Sequence, residues 1–281
     1  MTKGTLYICG TPIGNLKDIT LRALDILKEV DLIAAEDTRR TSKLLNYYEI
    51  KTKLTSYHEH NADDKKKELL AKLETNNDIA LVSDAGMPGI SDPGYKLVKL
   101  LRNEGIEIRV VPGPTAMTSA IVSSGLPTNK FSFEGFLPRK KSERQKYLQQ
   151  LKSEERTMIY YEAPHRLVKT LKDILDVLGN RKIAVCRELT KKFEEVLTER
   201  VSDLLDYFKN NKPQGEIVLV VEGGNNDKST DEWKSLSILE HVKQEMKTGL
   251  TKKEAIKEVA KLRELPKSEV YQIATKIRVN K

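Results

Sequence analysis

Residues 79 to 94 read Ile79-Ala80-Leu81-Val82-Ser83-Asp84-Ala85-Gly86-Met87-Pro88-Gly89-Ile90-Ser91-Asp92-Pro93-Gly94. A four-residue apolar run, too short for a helix, passes into a loop of glycine, proline and aspartate. Asp92-Pro93 then has the form of a helix start, with Asp as N-cap and Pro at the first helical position. Strand, loop and helix in that order are the repeating unit of an α/β fold. The same unit recurs on both sides. Upstream, Thr5 to Cys9 is a short apolar strand ending in Gly10-Thr11-Pro12-Ile13-Gly14, and Thr20 is placed to cap a helix with apolar residues at 21, 24, 27 and 30. Leu32 to Ala35 is a second strand, ending in the charged Glu36-Asp37-Thr38-Arg39-Arg40, and Lys65 to Leu73 is helical. Downstream, a helix runs to Arg102, Glu107 to Val111 is a strand broken by Pro112-Gly113-Pro114, and Thr115 to Ser124 is a helix of small and apolar residues. This repetition predicts a mainly parallel sheet in a first domain over residues 1–115.

Beyond Gly125 the character changes. Phe131 to Phe136 alternates like a strand, further strands are expected at Thr157–Tyr161, Lys182–Arg187 and Glu216–Val221, and helices at Ser142–Lys152, Pro164–Leu178 and Val201–Lys209. Ser142 and Gln145 have the spacing of a capping box. A second α/β domain is therefore expected over 116–225, with Gly223 to Thr230 as a linker. The tail, 231–281, reads as three helices, the last two with caps at Thr251 (with Glu254) and Ser268 and joined by Arg263-Glu264-Leu265-Pro266 in the manner of a helix-turn-helix.

Composition narrows the class. The 281 residues are 38% hydrophobic and 32% charged, and the longest aliphatic run, Ile217 to Val221, is far too short to span a bilayer. Met1 leads straight into strand-like sequence without a secretory leader, so a cytoplasmic, non-membrane protein is expected. Two cysteines and four histidines without ligand spacing argue against a disulfide scaffold and a metal site. The net charge of +8 favours a polyanionic partner. Residues 226–281 carry 13 basic and 9 acidic side chains, and Arg139, Lys140, Lys141, Arg144, Lys146, Lys152 and Arg156 form a second basic cluster. A solvated helix face is the plainer account of either run.

Three Gly/Pro-rich loops, at 10–14, 84–94 and 112–115, each follow a parallel-type strand, and in open α/β sheets ligands bind beyond the carboxyl ends of strands. Proline lacks the N–H that cradles phosphate, and neither GxGxxG nor GxxxxGK[ST] occurs, so neither a standard dinucleotide fold nor a P-loop is expected. Asp84 at a strand tip suits an ammonium group or a ribose diol, the alternative being a cap on the glycine turn.

Taken together, Gly10-Thr-Pro-Ile-Gly-Asn15, Ala35-Glu-Asp-Thr-Arg39, Ser83 to Gly94, Val111-Pro-Gly-Pro-Thr115 and Glu162-Ala-Pro-His-Arg166 resemble the signature of the tetrapyrrole methylase superfamily, and within it the branch acting on ribosomal RNA. The resemblance covers essentially the whole chain. It implies two α/β domains of the class III methyltransferase type with a C-terminal helical extension, S-adenosylmethionine bound between the domains, and a homodimer. The implied reaction is 2′-O-methylation of a decoding-region cytidine in 16S rRNA, naked or within the small ribosomal subunit. Carried over by position, donor contacts fall on Pro12, Asp84, Ala85, Gly86, Ile90, Thr115 and Ala116, with Tyr161, Glu162, Arg187 and Glu188 from the second domain. This chain reads Asp84-Ala85-Gly86 where tetrapyrrole members have Gly-Asp-Pro.

Methyl transfer from a sulfonium to a hydroxyl is an in-line displacement that needs a positioned base and no metal. Candidate bases are Asp37, His58, Glu59 and His60. Asp37 aligns with a functional acid of the tetrapyrrole relatives, an N-cap with an ion pair being the alternative. If Thr55 to His60 is extended, His58 and His60 point to opposite sides and at most one faces the cleft. His165 reads better as a helix-start residue. Arg39 and Arg40 are placed to hold phosphates beside the target ribose, and Arg139, Lys140, Lys141 and Arg144 to grip RNA. Two rival functions are a small-molecule methylase acting on a corrinoid or porphyrin precursor, and a DNA-binding regulator using the tail.

Overall fold

The computed structural model describes residues 2–224, 236–247, 250–263 and 265–275. Most of the expected linker, the start of the tail at 231–235, Glu264 and Ile277 lie outside the described residues. The chain divides into two compact units, residues 1–224 and 225–281.

The first unit holds two five-stranded sheets. β1 (Thr5–Cys9), β2 (Leu32–Ala35), β3 (Leu54–Ser56), β4 (Ile79–Val82) and β5 (Glu107–Val111) form the first, in the order β3-β2-β4-β1-β5. All four of its pairings are parallel. Helices cover both faces, as a sheet with two apolar faces requires. On one face α1 (Leu21–Glu29) and α2 (Thr38–Tyr47) bury Ala23, Leu27, Leu44 and Leu45 against Cys9, Ile33, Ala80 and Val82. On the other, α3 (Ala62–Glu74) and α4 (Tyr95–Asn103) bury Leu69, Leu73, Leu97 and Leu101 against Leu6, Ile79 and Leu81. Thr20 caps α1 as its sequence predicts, its side chain accepting from the Ala23 N–H at 3.1 Å. α4 departs from expectation. It starts at Tyr95 with Gly94 as N-cap, which frees Asp92 from a capping role.

The second sheet comprises β6 (Phe131–Phe136), β7 (Thr157–Glu162), β8 (Lys182–Arg187), β9 (Glu195–Arg200) and β10 (Ile217–Val221), in the order β6-β7-β10-β8-β9. Only β6 and β7 are parallel; the other pairings are antiparallel. One face carries α6 (Lys141–Gln150), α7 (Leu167–Leu178) and α8 (Val201–Asn210). The other carries α5 (Ala116–Ser123), whose Ala120 and Ile121 pack with Ile13 from the loop after β1 and Leu189 from the loop after β8. That shared cluster joins the two sheets. The capping box expected at Ser142 does not form: α6 begins one residue earlier, and the Gln145 amide donates to Asp173 Oδ1 at 2.8 Å instead.

The second unit packs α9 (Ile238–Lys247), α10 (Lys252–Leu262) and α11 (Lys267–Ala274) around Val242, Ile256, Val259 and Val270. The Thr251–Glu254 capping box is present. α11 starts at Lys267 after Pro266, so Ser268 lies inside the helix and not at its cap. His241 is buried, accepts at Nδ1 from Arg263 Nε at 3.1 Å, and is held below the usual imidazole pKa by burial and then by Arg263. No described helix is long and apolar enough to cross a membrane.

Candidate functional site

The loops after β1, β4 and β5 converge because their strands are neighbours in the sheet. They pack backbone against backbone. A Cβ on Gly10 would lie 2.8 Å from the Gly113 backbone, so neither residue tolerates a side chain. Thr11 and Gly86 exchange main-chain hydrogen bonds of 2.9 and 3.0 Å, and Gly86 (φ 81°) takes the left-handed conformation that this crossing needs.

Between these loops and the second sheet lies a cavity of about 460 Å³, a size typical of small-molecule sites. From the first sheet it is lined by Ile13, Glu36, Arg40, Asp84 to Met87, Ile90 to Asp92, Thr115 and Ala116. The opposite wall is Phe136, Tyr161 to Pro164, Leu189 and Gly215 to Val218. Of the donor contacts expected from the sequence, Asp84, Ala85, Gly86, Ile90, Thr115, Ala116, Tyr161 and Glu162 are therefore brought together.

Pro12 is not on the wall, its neighbour Ile13 being the residue that faces the cavity. Nor are Arg187 and Glu188. Arg187 is paired with Glu195 at 2.7 Å. Glu188, at φ 50°, accepts from the Glu216 N–H at 2.9 Å and pairs with Lys191 at 2.9 Å, which holds its carboxyl below the usual range. It fastens the strand that forms the wall, and Leu189 and Glu216 take the places expected for the pair. Glu162 lines the cavity while its carboxylate is committed to its own turn, accepting from the Ala163 N–H at 2.7 Å and from Thr170 Oγ1.

The charged rim differs most from expectation. Asp37 is the N-cap of α2, accepting from Arg39 N at 2.9 Å and Arg39 Nε at 3.3 Å. It is off the cavity wall, and those bonds hold its carboxyl below the usual range. Arg39 points to solvent, its side chain 89% exposed. Arg40 does reach the cavity and pairs with Asp84 Oδ2 at 3.4 Å. His58 lies edge-on to His60 with ring centroids 6.1 Å apart; it is off the wall but close enough to Glu36 to counter part of that residue's upward pKa shift. Arg139, Lys140 and Lys141 are exposed, whereas Arg144, expected among the RNA contacts, is buried against Asp173 with Nε 2.7 Å from Oδ2. Its Nη1 donates to the carbonyls of Pro138 and Arg139 at 3.2 and 3.1 Å. A long side chain with a buried acid in reach satisfies its donors internally, which a charge count does not reveal.

The sequence reading missed Asp92 and Glu36. Burial, reinforced by the charge on Glu36, pushes the Asp92 carboxyl up to about 6, against a hydrogen bond from Ser83. Glu36 is raised by burial and by Asp84. Neighbouring carboxylates in one half-buried cleft disfavour one another's ionisation, which is how a proton acceptor for neutral pH is built. Cys9 and Cys186 are buried with thiols pushed up to about 12, so neither is a nucleophile. Among the described residues no group of three or more His, Cys, Asp or Glu is arranged to hold a metal ion.

The chain belongs to the tetrapyrrole (corrin/porphyrin) methylase family, whose model matches residues 5–205. Among similar proteins, ribosomal RNA small subunit methyltransferase I of Halalkalibacterium halodurans is 50% identical over 273 residues, covering 96% of this chain and 94% of its own. The Bacillus subtilis protein of the same name is 48% identical over 271 residues, covering 95% and 93%. That of Thermotoga maritima is 53% identical over 220 residues, which are 99% of its length but 78% of this chain. The fold is shared with a diphthine synthase (TM-score 0.60, 13% identity, 78% of this chain and 90% of that one) and a cobalt precorrin-4 methyltransferase (TM-score 0.58, 18% identity, 77% and 94%).

Proposed function

We propose that the protein is an S-adenosylmethionine-dependent methyltransferase of the small-subunit ribosomal RNA, acting on the ribose 2′-oxygen of a decoding-region cytidine in 16S rRNA. The observation that carries this reading is the match at about half identity, over nearly the whole chain, to relatives named ribosomal RNA small subunit methyltransferase I.

The cavity fits the donor chemically. Ile13, Met87, Ile90, Leu189 and Ile217 offer apolar wall to an adenine ring, and the Asp84, Glu36 and Asp92 carboxylates suit a ribose diol, an ammonium and a sulfonium. S-adenosylmethionine, when bound, supplies a methyl group on a positively charged sulfur. The protein's own task is to align a hydroxyl and take its proton. Asp92 would take the 2′-O–H proton as that oxygen displaces the sulfur at the methyl carbon, and the charge on Glu36 beside it raises its affinity for the proton. Arg40, its side chain 64% exposed and held at the mouth by Asp84, keeps guanidinium N–H groups for an RNA phosphate. Arg139, Lys140 and Lys141, exposed and three to five residues beyond the wall residue Phe136, add positive charge, and α10 presents Lys253, Lys257 and Lys261, all exposed, as a stripe at four-residue spacing. Such a stripe is self-repelling on an isolated helix and is relieved by a polyanion. We place the protein in the cytoplasm, with its substrate, and read it as a homodimer.

The test is transfer of labelled methyl to small ribosomal subunits from cells lacking this modification, with a porphyrin precursor and duplex DNA as competitors for the role. Label entering only the ribosomal RNA supports the reading; label entering the porphyrin precursor overturns it.

A further inference from the structure

β6 carries an irregularity at the mouth of the cavity. Its pairing with β7 runs Phe133↔Ile159, then Gly135↔Tyr160 and Phe136↔Tyr161, so Glu134 is an extra, bulged residue. In a regular strand Phe133 and Phe136, three apart, would face opposite sides of the sheet. The bulge reverses the parity, and both rings meet Tyr161: Phe133 at 4.9 Å between centroids and 67°, Phe136 at 5.6 Å and 66°. Gly135 adopts φ 65° to make the turn, and its α-carbon faces Ser91 of the loop across the cavity. Glu134 meanwhile accepts from Tyr147 Oη at 2.6 Å.

Phe136 ends on the cavity wall yet 58% exposed, one face of an aromatic cluster left open at the entrance. The backbone that follows it is pinned. The three residues after it are clamped through their carbonyls, Leu137 by Arg166 at 2.7 Å and Pro138 and Arg139 by Arg144, and they lead into the exposed basic run Arg139 to Lys141. An open, pre-oriented aromatic ring beside cationic side chains is the combination by which proteins take an unstacked base of single-stranded nucleic acid.

We infer that Phe136 is the stacking platform for the base of the nucleotide whose ribose enters the cavity, so that the RNA is bound with that nucleotide turned out of its stack. The inference rests on the RNA-methylating reading above. Every base has a π-face, so the ring contributes affinity and orientation without selecting the base.

The experiment compares wild type with Phe136→Ala, Phe136→Leu and Phe136→Trp, using labelled S-adenosylmethionine and small subunits lacking the modification. Because the ring is mostly exposed, all three variants should melt within a few degrees of wild type. Phe136→Ala should lower kcat/KM for the subunits about five- to a hundredfold, the span found for removing one base–aromatic stack. Phe136→Trp should restore it, Phe136→Leu should not, and donor affinity by calorimetry should be unchanged in all. Wild-type kcat/KM in Phe136→Ala, equal rescue by Leu, or weakened donor binding would overturn the inference. If the wild-type enzyme itself fails to methylate the subunits, the functional reading fails instead.

Discussion

The main-chain N–H of Asp37 donates to Asp84 Oδ1 at 3.0 Å, so the charged tip of β2 is fastened to the tip of β4 by the same carboxylate that faces the cavity. Arg40 holds the other oxygen at 3.4 Å. One acid thus fixes the relative position of the start of α2, which bears Arg39 and Arg40, and of the loop that forms the cavity wall.

Asp84→Ala should weaken S-adenosylmethionine binding about tenfold to a hundredfold, the loss expected for one charged hydrogen bond of about 1.5–3 kcal/mol. Asp84→Asn keeps an acceptor for the Asp37 N–H and should melt nearer wild type than the alanine variant while binding the donor as poorly. Calorimetry with both variants checks this; unchanged affinity removes Asp84 from the donor site.

The pH dependence follows from Asp92. With its carboxyl raised to about 6 from an ordinary 3.8, the single-turnover rate should rise through pH 6 and level off above it, as the deprotonated form becomes available. Folding works the other way. A raised acid binds more protons folded than unfolded, so its contribution to stability is lost as pH rises between those two values. Asp92→Asn should abolish most of the rate and the inflection near pH 6, yet raise the melting temperature above that of wild type by more at pH 8 than at pH 4. Asp37→Asn, altering a partly buried cap off the cavity wall, should leave the rate close to wild type. The reverse pattern would return the proton to Asp37.

Arg144 and its neighbours separate structure from grip. Arg144→Met leaves the buried Asp173 with the Gln145 amide but without its cation and should cost about 3–5 kcal/mol in urea unfolding. The Lys140→Ala/Lys141→Ala pair should unfold within about 0.5 kcal/mol of wild type and instead weaken RNA binding. Wild-type stability with weakened RNA binding in Arg144→Met would put Arg144 on the RNA face.

The tail lysines predict a salt effect. Replacing Lys253, Lys257 and Lys261 by alanine should flatten the slope of log affinity for RNA against log salt by about 0.7–0.9 for each phosphate that is no longer neutralised. Donor affinity should not move. Because every residue lining the cavity lies within the first unit, methyl transfer should be slowed at low RNA concentration and not abolished. An unaltered salt slope makes the tail a packing element.

What the sequence allowed differed between elements for physical reasons. Strand ends followed by glycine and proline were legible, because loops crossing as closely as Gly10 and Gly113 exclude side chains. α2 was missed, since Thr38–Tyr47 buries only Thr41, Leu44 and Leu45 and is otherwise polar. β9 was missed because a charged edge strand has no apolar run to announce it. Asp92 followed by Pro93 looks like a helix cap, and only the late start of α4 at Tyr95 turns it to the cavity. The bulge at Glu134 depends on the partner strand and leaves no local trace. Asp37 carries both of the roles its alternative reading named, cap and ion pair.

Methylation of a ribose oxygen, as opposed to a base, is distinguished most sharply by alkaline hydrolysis. A 2′-O-methyl group blocks attack of that oxygen on the adjoining phosphate. After transfer of labelled methyl to small subunits and complete alkaline digestion of the RNA, the label should be recovered in an alkali-resistant dinucleotide whose 5′ residue is cytidine. Label recovered in mononucleotides would mean that a base was methylated, and would contradict the account.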